Sequence, residues 1–135
     1  MNYWLLALPP EHIEHCITIG TFGLNRKHIM GRVKTGDKVA CYAHKDRKII
    51  GLGEATSDYY VDDKKIFAAE GHFVDRFDFK ATRLPVDEEI DFMVVVDRMS
   101  FIKNIIYWSA YMRNGIIQIS QDDWKTILSQ SKTTA

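Results

Sequence analysis

The chain has 135 residues, of which 46% are hydrophobic and 27% are charged, a composition that is ordinary for a soluble globular protein. Its length predicts a single domain over residues 1–135. Eighteen Lys and Arg residues balance eighteen Asp and Glu residues, so the formal net charge is zero. Proteins that hold nucleic acid by bulk electrostatics carry a basic excess, so any nucleic-acid binding here must use a local basic patch.

The cysteine content and the first residues bear on the compartment. Cys16 and Cys41 are too few for a disulfide framework, which predicts a reducing compartment and leaves a single bridge open. Residues 1–8 lack a basic start and are followed by two prolines, so we predict no signal peptide. No apolar run approaches the ~20 residues that cross a membrane. We therefore expect a cytoplasmic protein.

The first part of the chain alternates short elements with turn residues. Pro9 and Pro10 end an apolar strand, because proline removes a ladder donor, and Pro10 fits the first turn of a helix. Gly36 marks a turn in which a positive φ is needed. The predicted elements are a buried strand at Tyr3–Leu8, a helix at 11–17, a loop at 20–23, one or two helical turns at 27–33 and a turn at 34–37.

A hairpin is predicted next, with strands at Lys38–Ala43 and 48–56 around the polar connection 44–47. Gly51 and Gly53 in its second strand indicate that the backbone passes close to a neighbour. A short helical piece is predicted at 64–69. A long alternating strand follows at 72–84, with a bulge or a bend near 75–76, where the phase of the alternation slips.

The last part of the chain ends in a strand and a docked helix. Residues 86–97 fit a helix or a strand, and we predict irregular structure leading into a helix near Ser100. Ile116–Ile119 is predicted as a strand, and Ser120 as the cap of a helix that docks through Trp124 and its helical neighbours. Residues 129–135 are predicted to fray.

Two aromatic residues stand outside regular apolar stripes. Phe22 lies in the predicted loop between glycines, and Trp108 is followed by Ser109. Rings in such positions are often functional, and a flat ring can stack on a heterocycle. We interpret Phe22 and Trp108 as the two walls of one slot; the alternative for each is a place in the core. Weaker wall candidates are Trp4, Tyr42 and Tyr107.

Basic residues cluster before the hairpin, in a stretch where Asp37 is the acidic residue. Phosphate contacts of this kind position a nucleic acid without reading its sequence. The alternative is an ordinary solvated face. The residues best placed for phosphates are Arg26, Lys27, Arg32 and Arg113.

Two other sequence patterns are weaker indications of a functional site. His12, His15 and Cys16 share helical spacing and could begin a metal site, but a further ligand is needed, and solvent-facing histidines with a core thiol are the alternative. The run from Gly51 to Gly53 starts like a dinucleotide fingerprint, but Thr56 stands at the third glycine position. We therefore predict neither a metal nor a cofactor.

Several short stretches, in order, resemble one known family. They are Tyr3-Trp4-Leu5, Gly23-Leu24-Asn25-Arg26, Gly36-Asp37 with Tyr42 and His44, the run 49–55, Tyr60 with Asp62, and Ser109 through Gln118 with Ser120 and Trp124. Together they resemble the EVE family, a branch of the PUA-like fold related to YTH domains. The resemblance implies an α+β fold: a partly closed barrel of mixed sheet, with five or six strands and short flanking helices.

The same resemblance implies a non-catalytic reader of modified bases in DNA or RNA, whose YTH relatives hold a methylated adenine in a cage of aromatic rings. This chain departs from the family pattern at two places. Thr21 stands where the family has a tryptophan two residues before the glycine of the pocket loop, and the family's Arg-Asn order appears as Asn25-Arg26.

The resulting hypothesis is a binding protein that takes a modified nucleobase of RNA or DNA into an aromatic slot. Phe22 and Trp108 stack on the base, with Tyr42 beside them, and Asn25 and Ser109 read its edge. Backbone amides near Gly23 help to read the edge of the base. The alternatives are an enzyme that processes a nucleotide or another small ligand in the same pocket, and a purely structural interaction module. The oligomeric state stays open.

Overall fold

The computed structural model describes residues 1–67 and 71–131. Its strands are β1 (Tyr3–Leu8), β2 (Thr21–Leu24), β3 (Lys38–Ala43), β4 (Lys48–Ala55), β5 (Tyr60–Val61), β6 (Asp75–Arg83), β7 (Ile90–Asp91) and β8 (Ile116–Ile119). Its α-helices are α1 (Pro10–Ile19), α2 (Lys27–Met30), α3 (Trp108–Tyr111) and α4 (Gln121–Leu128). Short 3₁₀ turns cover Val86–Glu88, Phe92–Val94, Val96–Arg98, Ile105–Tyr107 and Met112–Asn114.

Six strands form a curled sheet in the order β2-β6-β4-β3-β1-β8, and the two-residue strands β5 and β7 extend it at β6 and β4. β1 pairs in parallel with β3, whereas all the other ladders are antiparallel. The sheet is therefore mixed and curls into a half-barrel with β2 and β8 at its two ends. This confirms the predicted α+β class and the partly closed barrel.

Both faces of the sheet are covered by a core. Along β1, Trp4 and Leu6 point into one core and Leu5 and Ala7 into the other, because successive side chains of a strand point to opposite faces. Helix α1 covers the first face with Ile13 and Cys16. Helix α4 and the turns that follow β7 cover the second. Residues that belong to different cores are therefore separated by the sheet.

Strands β4 and β6 approach each other closely at a glycine. A Cβ atom on Gly53 would lie 1.9 Å from the carbonyl oxygen of Lys80, so no side chain fits there without moving backbone. At Gly51 the nearest atom would be the end of the Ile17 side chain, 3.2 Å away. The predicted close backbone approach is therefore confirmed, and it is tightest at Gly53.

The two ends of the sheet meet through a side chain. A Cβ atom on Gly115 would lie 2.9 Å from Cδ1 of Leu24, so the end of β2 packs over the backbone that leads into β8. Gly115 also has a φ of 79°, which favours glycine. Among the described strands no ladder joins β2 to β8, and Leu24 packs across this seam.

The helix signals of the sequence were reliable at both ends of the chain. Helix α1 begins at Pro10 and ends at Gly20, whose φ of 74° lets its N–H donate to the Cys16 carbonyl. Ser120 and Asp123 form the capping box of α4. Trp124 and Ile127 are buried, as the predicted docking face requires.

Three predictions of local structure were wrong. The loop expected at 20–23 contains β2, because Phe22 pairs with Phe77 of β6. The bulge, one of the two alternatives expected near 75–76, is absent: the register runs unbroken along the start of β6, and the positive φ of 51° lies before the strand, at Phe73. The helix expected near Ser100 is replaced by 3₁₀ turns that bury the apolar side chains of this segment.

Two predicted segments lie partly outside the described residues. Residues 64–67 of the expected helical piece are not helical, and the rest of that piece lies outside the description. The tail expected at 129–135 is described only as far as residue 131.

Candidate functional site

A cavity of about 460 Å³ opens on the second face of the sheet, where β3 ends. β3 and the hairpin after it supply one wall, and α3 with the turn that follows it supplies the other. The lining residues are Tyr42, His44, Lys45, Arg47, Trp108, Ser109, Met112 and Arg113.

A row of aromatic rings supports this cavity. The ring of Tyr42 stands edge-on to the rings of His44 and Phe92, with centroids 5.9 Å and 5.2 Å apart. Phe92 is fully buried and lies 6.2 Å from the ring of Trp108, tilted by 39°. Trp108 is only partly buried, so the part of its ring that Phe92 does not cover is available at the cavity.

Arg47 lies over the ring of Trp108, with its guanidinium carbon 5.8 Å from the ring centroid. The backbone that carries Arg47 is fixed at both of its polar groups. Its N–H donates to the Ala43 carbonyl, and its own carbonyl accepts from the Phe92 N–H, both at 3.0 Å. The hairpin therefore holds this arginine beside the tryptophan.

The cavity offers polar groups of defined type. His44 Nε2 donates to the carbonyl oxygen of Met112 at 2.9 Å, so Nδ1 of the neutral ring is left as an acceptor. Ser109 is exposed, and its hydroxyl can donate or accept. A donor from Tyr42, an acceptor from His44 and a hydroxyl from Ser109 can together read the edge of a heterocycle.

Tyr42 keeps its proton because its side chain is buried. Burial raises the pKa of Tyr42 to about 12, and the positive charge of Arg47 works against this rise. An unfolded tyrosine titrates near pH 10. The stabilisation that comes from the neutral phenol is therefore present below about pH 10 and is lost between about pH 10 and about pH 12. At neutral pH the phenol is a hydrogen-bond donor.

We expect the ultraviolet absorbance of phenolate, recorded as the parent protein minus Tyr42→Phe, to show a titration step near pH 12. The other tyrosines cancel in this difference, including Tyr60, whose pKa is also raised to about 12. A step near pH 10 would contradict burial of the Tyr42 side chain as the cause of its raised pKa.

Three cations surround the mouth of the cavity: Lys45, Arg47 and Arg113 are all exposed. None of them takes part in the ion pairs that join described residues. Asp46 is the acidic residue that lies between Lys45 and Arg47 in the sequence. Positive charge therefore predominates here although the chain as a whole is neutral, which meets the requirement for a local basic patch.

Four of the residues predicted from the sequence line this cavity, namely Tyr42, Trp108, Ser109 and Arg113. Phe22 does not: it is fully buried in the first core, whereas Trp108 packs against the second. The sheet separates the two rings, so the expected slot between them does not form. The reason is that the segment of Phe22 is a strand of the sheet and turns this ring inward.

The other predicted residues form a separate surface. The Asn25 side-chain oxygen accepts from the Val74 N–H at 3.1 Å, which fixes a loop, and the ring of Phe67 packs against Gly23. Arg26 and Lys27 line a shallow depression of about 390 Å³ that shares no residue with the cavity. Arg32 is exposed nearby in the sequence.

Sequence reasoning missed half of the cavity lining: His44, Lys45, Arg47 and Met112. A signal for three of them was present, because residues 44–47 stood out as a charged hairpin directly after Tyr42. What the sequence did not show is that this hairpin faces α3.

The histidine and cysteine pattern on α1 has structural partners. The ring of His15 donates from Nε2 to the Ile66 carbonyl at 3.1 Å. Burial raises the pKa of Cys16 to about 12, against a backbone hydrogen bond with Gly23. His12 packs against the rings of Phe67 and Phe73. Among residues 1–67 and 71–131, no group of three His, Cys, Asp or Glu side chains is arranged to hold a metal ion.

Over the same part of the chain, every helix is too short or too polar to span a lipid bilayer.

The chain is similar over nearly its whole length to proteins of known sequence and structure. The UPF0310 protein PH1033 of Pyrococcus horikoshii is 28% identical over 140 residues, which cover 94% of this chain and 97% of the relative. The solved structure of Rpa0253 from Rhodopseudomonas palustris has a TM-score of 0.69 at 17% identity and covers 100% of this chain and 96% of its own.

A YTH domain shares the same fold. The Mmi1 YTH domain, solved in complex with RNA, has a TM-score of 0.64 at 12% identity, and the match covers 95% of this chain and 76% of that domain. The sequence model of the EVE domain matches residues 2–130. The motifs that resembled this family thus lie in one continuous match, and the chain belongs to the EVE domain family.

Proposed function

We propose that this chain binds RNA or DNA as a single domain and takes one base, in modified form, into the cavity between Tyr42 and Trp108. The observation that carries the proposal is a partly exposed tryptophan beside three cations that are outside the described ion pairs. The cavity volume of about 460 Å³ falls within the range of small-ligand sites, roughly 300–1,000 Å³. The similarity in fold to a YTH domain that was solved with RNA supports the choice of ligand.

The ring of Trp108 supplies affinity. Stacking a base on an aromatic side chain is worth about 1–3 kcal/mol and tolerates every base, because every base has a π-face. Phe92 backs this ring, so Trp108 does not have to be ordered when the ligand arrives. The tryptophan therefore binds bases in general and does not choose among them.

Selectivity comes from Tyr42, His44 and Ser109. A buried donor or acceptor that the ligand leaves unpaired costs about 1–3 kcal/mol, so a wrong base edge is rejected. The His44 acceptor suits an amino group, and the Tyr42 donor suits a ring nitrogen or a carbonyl oxygen. We propose that these three side chains read the modification.

Cations at the mouth bind the adjoining phosphates. Arg113 stands one helical turn beyond Ser109 and lines the same cavity. Arg26, Lys27 and Arg32 lie on their own surface, and we propose that a longer strand reaches them with further phosphates. Such contacts hold the backbone without reading sequence.

We propose that the site binds and does not catalyse. The cavity lining includes no carboxylate and no thiol, and no hydrogen bond joins Ser109 to His44. An activated serine needs such a bond to a base. The proposal includes a cytoplasmic location, supported by the two free thiols of Cys16 and Cys41, which are buried and unbridged.

The test is a fluorescence titration of the protein with short RNA and DNA oligonucleotides that carry or lack modified bases. Trp108→Ala should weaken binding by about 5- to 150-fold, the loss expected from one stacked base. Tyr107→Ala is the matched control, since this exposed neighbour does not line the cavity. Retained affinity in Trp108→Ala would remove the tryptophan from the site, and a parent protein that binds none of the oligonucleotides would overturn the proposed function.

A second arm of the titration locates the phosphates. Arg113→Ala should reduce the slope of log affinity against log salt by about one, whereas Arg26→Ala on the other surface should leave binding of a very short oligonucleotide unchanged. The reverse result would move the phosphate path to the surface around Arg26. Turnover of a nucleotide by the parent protein would favour the enzyme alternative.

A further inference from the structure

Arg47 adopts a backbone conformation that its residue type disfavours. Its φ is 56°, in the left-handed region, and Phe73 is the other non-glycine residue with a positive φ in the described part of the chain. Glycine and asparagine are the residues that usually occupy this region in hairpin turns. Two backbone hydrogen bonds, to Ala43 and from Phe92, keep Arg47 there. The turn alone therefore does not account for an arginine.

Ion pairing does not account for an arginine at position 47 either. The Arg47 guanidinium takes part in none of the ion pairs that join described residues, and it lies over the ring of Trp108. An exposed cation over a ring contributes no more to stability than the left-handed backbone removes. A residue that is held in a disfavoured backbone conformation and does not stabilise the fold is a candidate for a functional role.

We propose that Arg47 makes the cavity selective for a nucleotide over a free nucleoside. In the empty protein its guanidinium rests on the face of Trp108; when a base takes that face, the guanidinium moves to the phosphate of the same nucleotide. The proposal rests on the proposed function above and deepens it by naming the unit that is bound, a base together with its own phosphate.

The geometry makes this exchange feasible. The guanidinium carbon of Arg47 lies over the Trp108 ring, 5.8 Å from its centroid, and both residues line the cavity, so a base that stacks on this ring from the cavity has to displace the guanidinium. The backbone of Arg47 is fixed, so the exchange needs only side-chain rotation. A guanidinium binds phosphate through two parallel hydrogen bonds, and Arg113 adds positive charge beside it.

This exchange predicts effects of opposite sign. Without the arginine, a nucleoside no longer has to displace a guanidinium from the ring, so its affinity should stay the same or rise. A nucleotide loses its phosphate partner, and its affinity should fall by about tenfold or more. A purely structural role for Arg47 would change both affinities in the same direction.

The experiment compares the parent protein with Arg47→Ala and Arg47→Gly by isothermal titration calorimetry. The probes are the four nucleosides, their base-methylated forms and the 5′-monophosphates of all of them. Arg98→Ala removes the same charge at an exposed position that does not line the cavity and is the control. We expect the parent and the control to prefer the nucleotides, and both Arg47 variants to lose that preference.

Melting temperatures of the two variants report on the strain separately. Arg47→Gly should melt about 3 °C above Arg47→Ala, because glycine adopts a φ of 56° without the Cβ clash. Equal melting temperatures would remove the strain from the argument for Arg47.

The outcomes for the inference and for the proposed function are distinct. A preference for nucleotides that survives in both Arg47 variants overturns the inference and leaves the proposed function standing. A parent protein that binds the oligonucleotides but shows no preference between nucleotide and nucleoside also overturns the inference alone. A parent protein that binds no nucleic acid overturns both.

Discussion

We expect Asp37→Ala to lower the free energy of unfolding by about 3–5 kcal/mol, because three N–H donors lose their acceptor together. The Asp37 carboxylate is only 2% exposed. It accepts from the Trp4 indole and the Lys34 backbone at 2.9 Å and from the Asn2 backbone at 3.0 Å. These bonds join the start of β1 to the turn before β3. Chemical denaturation followed by circular dichroism measures the loss.

Two further variants make the Asp37 result specific. Asp37→Asn keeps the shape and one acceptor oxygen, so its loss should be clearly smaller than that of the alanine variant. Asp46→Ala removes a carboxylate from an exposed hairpin and should stay within about 0.5 kcal/mol of the parent. Equal losses in the two Asp37 variants would show that charge, and not the number of acceptors, holds this corner together.

Replacing Arg76 by methionine should cost about 3 kcal/mol, since hydrogen bonds to charged donors contribute about 1.5–3 kcal/mol each and part of this is offset by the burial of the charge. Arg76 is 1% exposed. Its guanidinium donates to the carbonyls of His72 at 2.8 Å, Phe73 at 3.0 Å and Lys64. It also lies over the ring of Phe67 at 5.1 Å. One side chain thus fastens the segment between β5 and β6.

Hydrogen exchange should locate the Arg76 effect. Methionine keeps most of the volume, so protection should fall in residues 61–67 and 71–75 and remain high in β1 and β3. Lys80→Met, at an exposed position of the same strand, is the control and should leave both regions unchanged. A uniform loss of protection over the whole chain would contradict the role of Arg76 as a local fastener.

Strand and cap signals made much of the fold predictable. Lys38–Ala43 and Ile116–Ile119 were predicted with the bounds that they have in the structure. Both are apolar runs bounded by a glycine turn on one side and by polar residues on the other, a local pattern that needs no knowledge of the partner strand. The cap at Ser120 was equally local, since the capping box joins residues three apart.

The site was harder to predict because it depends on which face of the sheet each ring occupies. Phe22 and Trp108 are both aromatic, and nothing in their immediate neighbours tells the first core from the second. A sheet that is buried on both faces removes the alternation of polar and apolar residues that would assign a side. Tyr42 was found because it is an aromatic residue of a predicted strand, in a motif that resembles the EVE family, and Arg47 was missed because its partner, Trp108, is distant in sequence.

Residues 86–107 show a different limit on what the sequence predicts about secondary structure. Phe92, Val95, Val96 and Met99 recur at helical spacing and are all buried, yet the chain forms successive 3₁₀ turns there. The tertiary environment decides this outcome: the Ser100 N–H and hydroxyl both donate to the Asp123 carboxylate, at 2.8 Å and 2.6 Å, which fixes the end of the segment against α4. The irregular structure predicted for residues 86–97 agrees with these short turns, whereas the helix predicted near Ser100 does not form.

The contact of Leu24 with Gly115 is where the two ends of the half-barrel meet, so the barrel is mechanically weakest there. Pulling an inner strand outward breaks ladder hydrogen bonds on both of its flanks, whereas parting the described strands β2 and β8 breaks no ladder between them and separates Leu24 from the Gly115 backbone. The half-barrel therefore yields most easily at this contact. The turn that carries Arg113 leads directly into Gly115, so a force applied to this turn at the mouth of the cavity acts first on the contact between Leu24 and Gly115.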